Sequence, residues 1–164
     1  MGILIVYYSW QGHTETVARE LAGRIDGELE KIEPVSESGM FGKVMRAGLG
    51  MKAAIRPART DLTDVDHLVI ASPVWAQKVP PYITEYIAEV SNAAGKPFSV
   101  IVEMKGSGAE NAIAIVRRKL EEKGMQYVSS AYTLEDDVEA GRIGEKIAEF
   151  AATIHRAAAA APMP

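Results

Sequence analysis

Five short apolar segments alternate along the chain with longer segments whose apolar residues recur every three or four positions. Residues 2–8, 67–72 and 98–104 are almost continuously apolar, which is typical of parallel strands that are buried on both faces. Residues 28–35 and 126–134 are more mixed, and the first of these indicates a short strand near a sheet edge. The pattern therefore predicts five strands.

The segments after these strands predict helices. One of them carries Val17, Leu21 and Ile25 on a single face and ends near Gly27. The others are predicted over 40–55, from Pro80-Pro81 onward, over 109–123 and over 139–156. Glycines within 40–55 weaken the prediction of a helix there. Strands that alternate with helices in this way imply a parallel sheet with helices on both faces.

The chain has the length of one domain. Its 164 residues contain no linker and no internal repeat. We expect a single domain over residues 1–156, followed by an alanine- and proline-rich C-terminal tail over residues 157–164.

Composition excludes several kinds of site. The absence of cysteine excludes disulfides and cysteine-ligated metals, and the three histidines lack metal-ligand spacing, so we expect no metal site. The net charge of −4 argues against general nucleic-acid binding. No segment has the length of a membrane span, and the apolar start is too short for a signal peptide, so we expect a cytoplasmic protein.

Three loops at the carboxyl ends of predicted strands are candidates for ligand binding, because open parallel sheets bind ligands there. The first runs from Ser9 to Thr14, directly before a helix whose free N–H groups and dipole favour an anion; a simple helix cap by Thr14 is the alternative. The second, residues 72–80, carries Trp75, which either packs over the sheet edge or offers a platform to a flat ligand. The third, residues 104–110, has two glycines, which allow close approach to a ligand or form a flexible turn.

Two motifs make the chain resemble the flavodoxin family over almost its full length. They are Ser9-x-x-Gly12-His13-Thr14 after the first strand, and Pro73-Val74-Trp75 with Pro80-Pro81 after the third. The resemblance implies a three-layer, doubly wound α/β fold with a five-stranded parallel sheet in the flavodoxin-like order 2-1-3-4-5. It also implies FMN as the cofactor, bound at the switch point between the first and third strands.

The resemblance further implies roles for individual residues of the three loops. The phosphate would be held by Ser9, Gln11, Gly12, His13 and Thr14, with Trp10 beside the ribityl chain. The isoalloxazine ring would be lined by Pro73, Val74, Trp75 and Ala76, with Trp75 as the first candidate for stacking. The other edge of the flavin would meet Met104, Lys105, Gly106 and Ser107.

Two functions agree with this resemblance. The first is a redox flavoprotein that transfers electrons through non-covalently bound FMN to a partner protein. The alternative is an NAD(P)H-dependent FMN oxidoreductase acting on quinones or flavins, so whether the chain is an enzyme stays open. A homodimer is compatible with the second reading, because related reductases often shape their second substrate site across an interface.

Two features depart from the low-potential carriers of the flavodoxin family. The third loop offers Lys105 and no aromatic residue, and a cation near the flavin favours the reduced anion, so we expect a higher flavin potential. The segment 43–59 holds five cations and no acidic residue. It is either a solvated basic face or a docking surface for an acidic partner or for the phosphates of a nicotinamide cofactor.

Overall fold

A computed structural model describes residues 1–35 and 54–161 of the chain. Within these residues, strands and helices alternate in the predicted order. The elements are β1 (Ile3–Tyr7), α1 (His13–Ile25), β2 (Glu28–Lys31), β3 (His67–Pro73), α2 (Pro81–Glu89), β4 (Pro97–Met104), α3 (Ala109–Glu122), β5 (Gln126–Leu134), α4 (Glu135–Glu139) and α5 (Gly144–Ala160).

The strands form one parallel sheet in the order β2-β1-β3-β4-β5, which confirms the predicted topology. Every residue of β1 and of β3 is buried, as expected of central strands covered on both faces. β2 is short, and its first and last residues are exposed glutamate and lysine side chains, which confirms a short strand at the sheet edge.

Helices cover both faces of the sheet and make three layers. On one face, Leu21 of α1 and Phe150 of α5 pack in an apolar cluster with alternate side chains of β1, which are Ile3, Ile5 and Tyr7. On the opposite face, Ile83 of α2 and Val116 of α3 belong to the second cluster. Each fully buried side chain of this size contributes about 1.5–3 kcal/mol, so the two clusters fix which face each helix covers.

The C-terminal region differs from the prediction in two ways. β5 leads into the short helix α4, which is followed by Gly141 in a left-handed conformation with φ of 71°. The last helix therefore begins at Gly144, not near residue 139, and it continues to Ala160. The predicted tail is thus wrong for residues 157–160, because alanine has the highest helix propensity and extends the helix.

Only part of the basic segment 43–59 falls within the described residues, and the helix predicted over 40–55 lies almost entirely outside them. Arg59 Nη1 lies 2.7 Å from Glu28 Oε2 of β2, and Arg56 Nε lies 3.9 Å from Glu33 Oε2. These two cations therefore lie against acidic side chains of the same protein. In the part of the chain that the structure describes, no helix is both long enough and apolar enough to cross a membrane.

A row of polar side chains crosses the sheet away from the carboxyl ends of its strands; His67 and Ser99 are buried and Ser129 is partly buried. His67 Nε2 lies 3.0 Å from Ser99 Oγ, which in turn lies 3.0 Å from Ser129 Oγ. His67 is 1% exposed, and this burial lowers the pKa of its imidazole to about 4. The imidazole is therefore neutral in the folded protein at neutral pH.

We expect His67 to make stability depend on pH. Its folded pKa of about 4 lies below the value of about 6.5 for an unfolded chain, so the unfolded chain binds more protons between those two values. The free energy of unfolding should fall as pH drops through this window, by roughly 3 kcal/mol at most from this residue. Urea titrations across the window should show that His67→Gln removes this part of the slope.

The matched control is His155→Gln, because His155 is exposed on α5. It should leave the pH dependence of unfolding unchanged. A slope in His67→Gln equal to that of the unsubstituted protein would contradict the assignment.

Candidate functional site

The carboxyl ends of β1, β3 and β4 open into a cavity of about 390 Å³, a volume typical of small-ligand sites. Eleven of the fourteen predicted site residues line it: Ser9, Trp10, Gln11, His13, Thr14, Pro73, Val74, Trp75, Ala76, Met104 and Lys105. The other three, Gly12, Gly106 and Ser107, lie in the same loops but do not line the cavity. Glu103 and Glu135 also line the cavity, and neither was predicted.

The first loop closes on the side chain of Ser9. Its Oγ accepts hydrogen bonds from the backbone N–H groups of Gly12, at 3.1 Å, and of Glu15, at 3.2 Å. Gly12 is the residue that caps α1, with φ of 94°, so Thr14 is not the helix cap. The first N–H groups of a helix have no acceptor within the helix, and together with the helix dipole they favour an anion at this point.

Thr14 instead faces a buried carboxyl group. Thr14 Oγ1 donates to Glu103 Oε2 over a long 3.5 Å, and both side chains are buried. Burial raises the pKa of Glu103. Next in importance, His13 lowers it, the nearby carboxylate of Glu135 raises it, and the hydrogen bond from Thr14 lowers it. An acid thus lies directly behind the anion-favouring helix start.

His13 extends outward from the same helix turn toward α4. Its Nε2 lies 3.0 Å from Glu139 Oε1 and 3.9 Å from Glu135 Oε1. These three side chains place potential metal-ligand atoms within 4.8 Å of one another, a grouping that sequence spacing did not reveal. Structural metal sites normally take four ligands, and Glu139 is largely exposed, so the expectation of no metal site stays a prediction.

The second loop is a tight turn that presents Trp75. The backbones of Trp75 and Lys78 exchange two hydrogen bonds, of 2.7 and 2.9 Å. The residues between them, Ala76 and Gln77, both adopt left-handed conformations, with φ of 48° and 63°. This is the geometry of a two-residue hairpin turn that normally selects asparagine and glycine, so alanine and glutamine here carry strain of about 1 kcal/mol or more each.

Aromatic side chains hold Trp75 from below and from the side. Its ring makes edge-on contacts with Tyr8, Tyr82 and Trp10, with ring centroids 5.6, 6.5 and 6.3 Å away. The ring packs against the core cluster and also lines the cavity, so its role as a platform for a flat ligand stays a prediction. These contacts fix the orientation of the ring.

The third loop and the start of α3 contact the turn of the second loop. Asn111 Nδ2 donates to the carbonyl oxygen of Gln77 at 2.7 Å. A Cβ on Gly108 would lie 2.9 Å from both Gln77 Cα and Val74 Cγ1, so only glycine permits this close approach. The start of α3 thus fixes the strained turn from behind.

Sequence reasoning missed Glu103, Glu135 and Asn111, and it expected the glycines of the third loop to approach a ligand, whereas Gly108 approaches the Trp75 turn. Of the three missed residues, only Glu103 has a signal in the sequence, since it is the one charged residue of its strand. The others act through contacts between distant segments, which periodicity does not show.

Comparison with known families gives one match over almost the whole chain. A family described as NADPH-dependent FMN reductase matches residues 1–157. No match was found among curated proteins.

Solved structures give the fold independently. A flavoprotein from Bacteroides uniformis has a TM-score of 0.75 at 19% identity, covering 91% of this chain and 96% of its own. A flavoprotein in complex with FMN from Lactobacillus acidophilus has a TM-score of 0.67 at 18% identity, with 86% and 97% covered. Oxidised flavodoxin 2 from Bacillus cereus has a TM-score of 0.66 at 22% identity, with 95% and 99% covered. These likenesses confirm a flavodoxin-like fold.

We expect Gly108→Ala to displace the Trp75 turn. The added methyl group meets a backbone carbon and Val74 at 2.9 Å, and φ of 99° is strained for alanine. Overpacking and backbone strain together should lower the free energy of unfolding by roughly 2–4 kcal/mol. Thermal unfolding should show a lower Tm, and near-ultraviolet circular dichroism should show a changed tryptophan signal.

Gly106→Ala is the matched control, because a Cβ there meets nothing within 4 Å. Both measurements should be close to those of the unsubstituted protein. If the two substitutions have the same effect, the close contact at Gly108 does not stabilise the Trp75 turn.

Proposed function

Since the chain belongs to the NADPH-dependent FMN reductase family and binds FMN, we propose that it is an enzyme that oxidises NADPH and reduces a small acceptor, a flavin or a quinone. The single observation that carries this proposal is the family match over residues 1–157. Electron transfer to a protein partner, without turnover of NADPH, is the competing function. The second substrate, and a homodimer that would help to shape its site, are parts of the proposal.

The residues present fit FMN. One end of the cavity has the Ser9 hydroxyl group and the start of α1, which suit a phosphate. The other end has the apolar wall of Pro73, Val74 and Trp75, which suits a flat ring. Bound FMN would supply the hydride chemistry, accepting a hydride from NADPH and passing two electrons onward.

We assign the binding roles accordingly. The phosphate is held by the first loop, through Ser9, Gln11, Gly12, His13 and Thr14, with Trp10 beside the ribityl chain. The ring is lined by Pro73, Val74, Trp75 and Ala76. The third loop meets its other edge through Met104, Lys105, Gly106 and Ser107.

The rim of the cavity supports access by a second substrate. Gln11, Ala76 and Lys105 are exposed, whereas Trp75 beneath them is held by other aromatic rings. A fixed, partly buried wall below an exposed rim excludes water from one side of a bound ligand and leaves the other side approachable. This arrangement suits alternate binding of NADPH and an acceptor.

Lys105 is the charged side chain of the third loop that lines the cavity. A cation at this edge stabilises negative charge on a reduced ligand, whereas Glu103 and Glu135 lie toward the phosphate end, near Thr14 and His13. The charge distribution therefore favours an acceptor of hydride over a carrier tuned to low potential.

We expect the purified protein with FMN to oxidise NADPH through many turnovers when a quinone or free FMN is added. Loss of NADPH absorbance reports the reaction directly. The chain freed of FMN is the control and should show no turnover. Absence of turnover with every acceptor, while reduction by a separate reductase proceeds, would favour the carrier function.

We also expect Lys105→Glu to lower the two-electron midpoint potential of the bound flavin. Replacing a cation by an anion destabilises the reduced anion, and a shift on the order of 30 mV would correspond to tenfold in the equilibrium. A redox titration measures the shift. Arg118→Glu makes the same charge change at an exposed site on α3 and should leave the potential nearly unchanged; equal shifts in both would contradict a local role for Lys105.

A further inference from the structure

The carboxyl group of Glu103 lies where an ionised acid is costly. It is 6% exposed, at the carboxyl end of a buried strand, and it lines the cavity. Among the described residues, its one hydrogen bond comes from Thr14 Oγ1 at 3.5 Å, the outer limit for such a bond, and no lysine or arginine forms an ion pair with it. Buried carboxylates are normally paired or hydrogen-bonded more fully than this.

The groups that face Glu103 come from every element around it. They are His13 and Thr14 of α1, Glu135 of α4 with Glu139 behind His13, Pro73 of β3, Thr133 of β5, and Lys105 on the rim of the same cavity. Thr133 is the register partner of Glu103, is 1% exposed, and its Oγ1 has no hydrogen-bond partner among the described residues. Burial raises the pKa of Glu103, so the site makes protonation of this carboxylate easier than in water.

The phosphate adds a second anion at this point. If FMN binds as proposed, its phosphate lies at the first turn of α1, beside the threonine that contacts Glu103. A phosphate monoester carries close to two negative charges at neutral pH. Charges at a buried site are poorly screened, so an ionised Glu103 would oppose the phosphate strongly.

We propose that Glu103 takes up one proton from solvent when the phosphate of FMN binds, and that the neutral acid then contributes to holding that phosphate. The proposal rests on the placement of FMN given above. The proton ends on a carboxyl oxygen of Glu103, and no electron moves. A carboxylic acid can donate a hydrogen bond where a carboxylate can only accept one, so protonation converts a repulsion into an attraction. Glu103 thereby makes the affinity for phosphorylated flavins depend on pH.

The experiment is calorimetric titration of the FMN-free protein with FMN, in two buffers of different ionisation enthalpy at pH 7 and pH 8. The difference between buffers counts the protons taken up on binding. At a pH where Glu103 is ionised without FMN and protonated with FMN, we expect uptake of close to one proton per FMN bound. In that range the dissociation constant of FMN should rise about tenfold per pH unit. Glu103→Gln should take up no proton and should bind FMN at least about tenfold more tightly at pH 8.

Riboflavin distinguishes the phosphate from the ring, because it carries no phosphate. Its binding should take up no proton in either protein. Equal proton uptake with riboflavin and FMN would overturn the link to the phosphate. Inorganic phosphate, titrated in the absence of FMN, should bind with the same pH dependence of affinity as FMN. In a separate titration it should compete with FMN.

Two further variants identify the titrating group. His13→Gln removes the imidazole nearest Glu103, and Glu135→Gln removes the neighbouring acid. Both should keep the proton uptake. If His13→Gln abolishes it while Glu103→Gln does not, the proposal fails and His13 is the linked group.

Thermal unfolding of Glu103→Gln shows whether the isosteric side chain leaves the fold intact. None of these measurements involves NADPH or an acceptor. The experiments can therefore disprove the proton uptake by Glu103 without disproving the reductase function. They can equally confirm the proton uptake if the protein is not a reductase.

Discussion

β1 and β3 lie side by side in the sheet, and the helices that follow them cover opposite faces. α1 packs in one apolar cluster and α2 in the other, so the chain leaves the two strands in opposite directions. A crevice between the loops is the geometric consequence, and the site is built there. The burial of both strands fixes this arrangement, because slipping either strand by one residue would move its side chains from one apolar cluster to the other.

The two ends of the crevice are built on different physical grounds. At the α1 end, Ser9 Oγ closes the loop by accepting from two backbone N–H groups, and the start of the helix favours an anion. At the Trp75 end, ring packing and a strained turn prepare an apolar wall. The strain in the turn is tolerated because Asn111 and the close approach at Gly108 hold it from the neighbouring loop. The wall therefore depends on α3, although no residue of α3 lines the cavity.

Much of this arrangement could be predicted from apolar patterning and from two loop motifs. The strands follow from apolar runs such as that of β3. Their order and most of the cavity lining follow from the family resemblance that the loops after β1 and β3 carry. The end of α5 did not follow, because alanine-rich composition is equally compatible with a tail and with a helix. The carboxyl cluster did not follow either. Glu103, Glu135 and His13 come from β4, α4 and α1, and only the packing of those elements brings them together.

The position of that cluster bears on how the family assignment should be understood. A site that bound a phosphate by charge alone would gather lysine and arginine, yet Glu103 lies against Thr14 at the start of α1, where we propose the phosphate, and Lys105 is the lysine that lines the cavity. In the proposed binding mode the phosphate depends on N–H groups and hydroxyl groups, whose dipoles tolerate a neighbouring neutral acid. In that mode Lys105 is left to act at the ring end of the cavity. Affinity for the cofactor and stabilisation of its reduced form would then be set by different residues, which agrees with the reductase function that we propose.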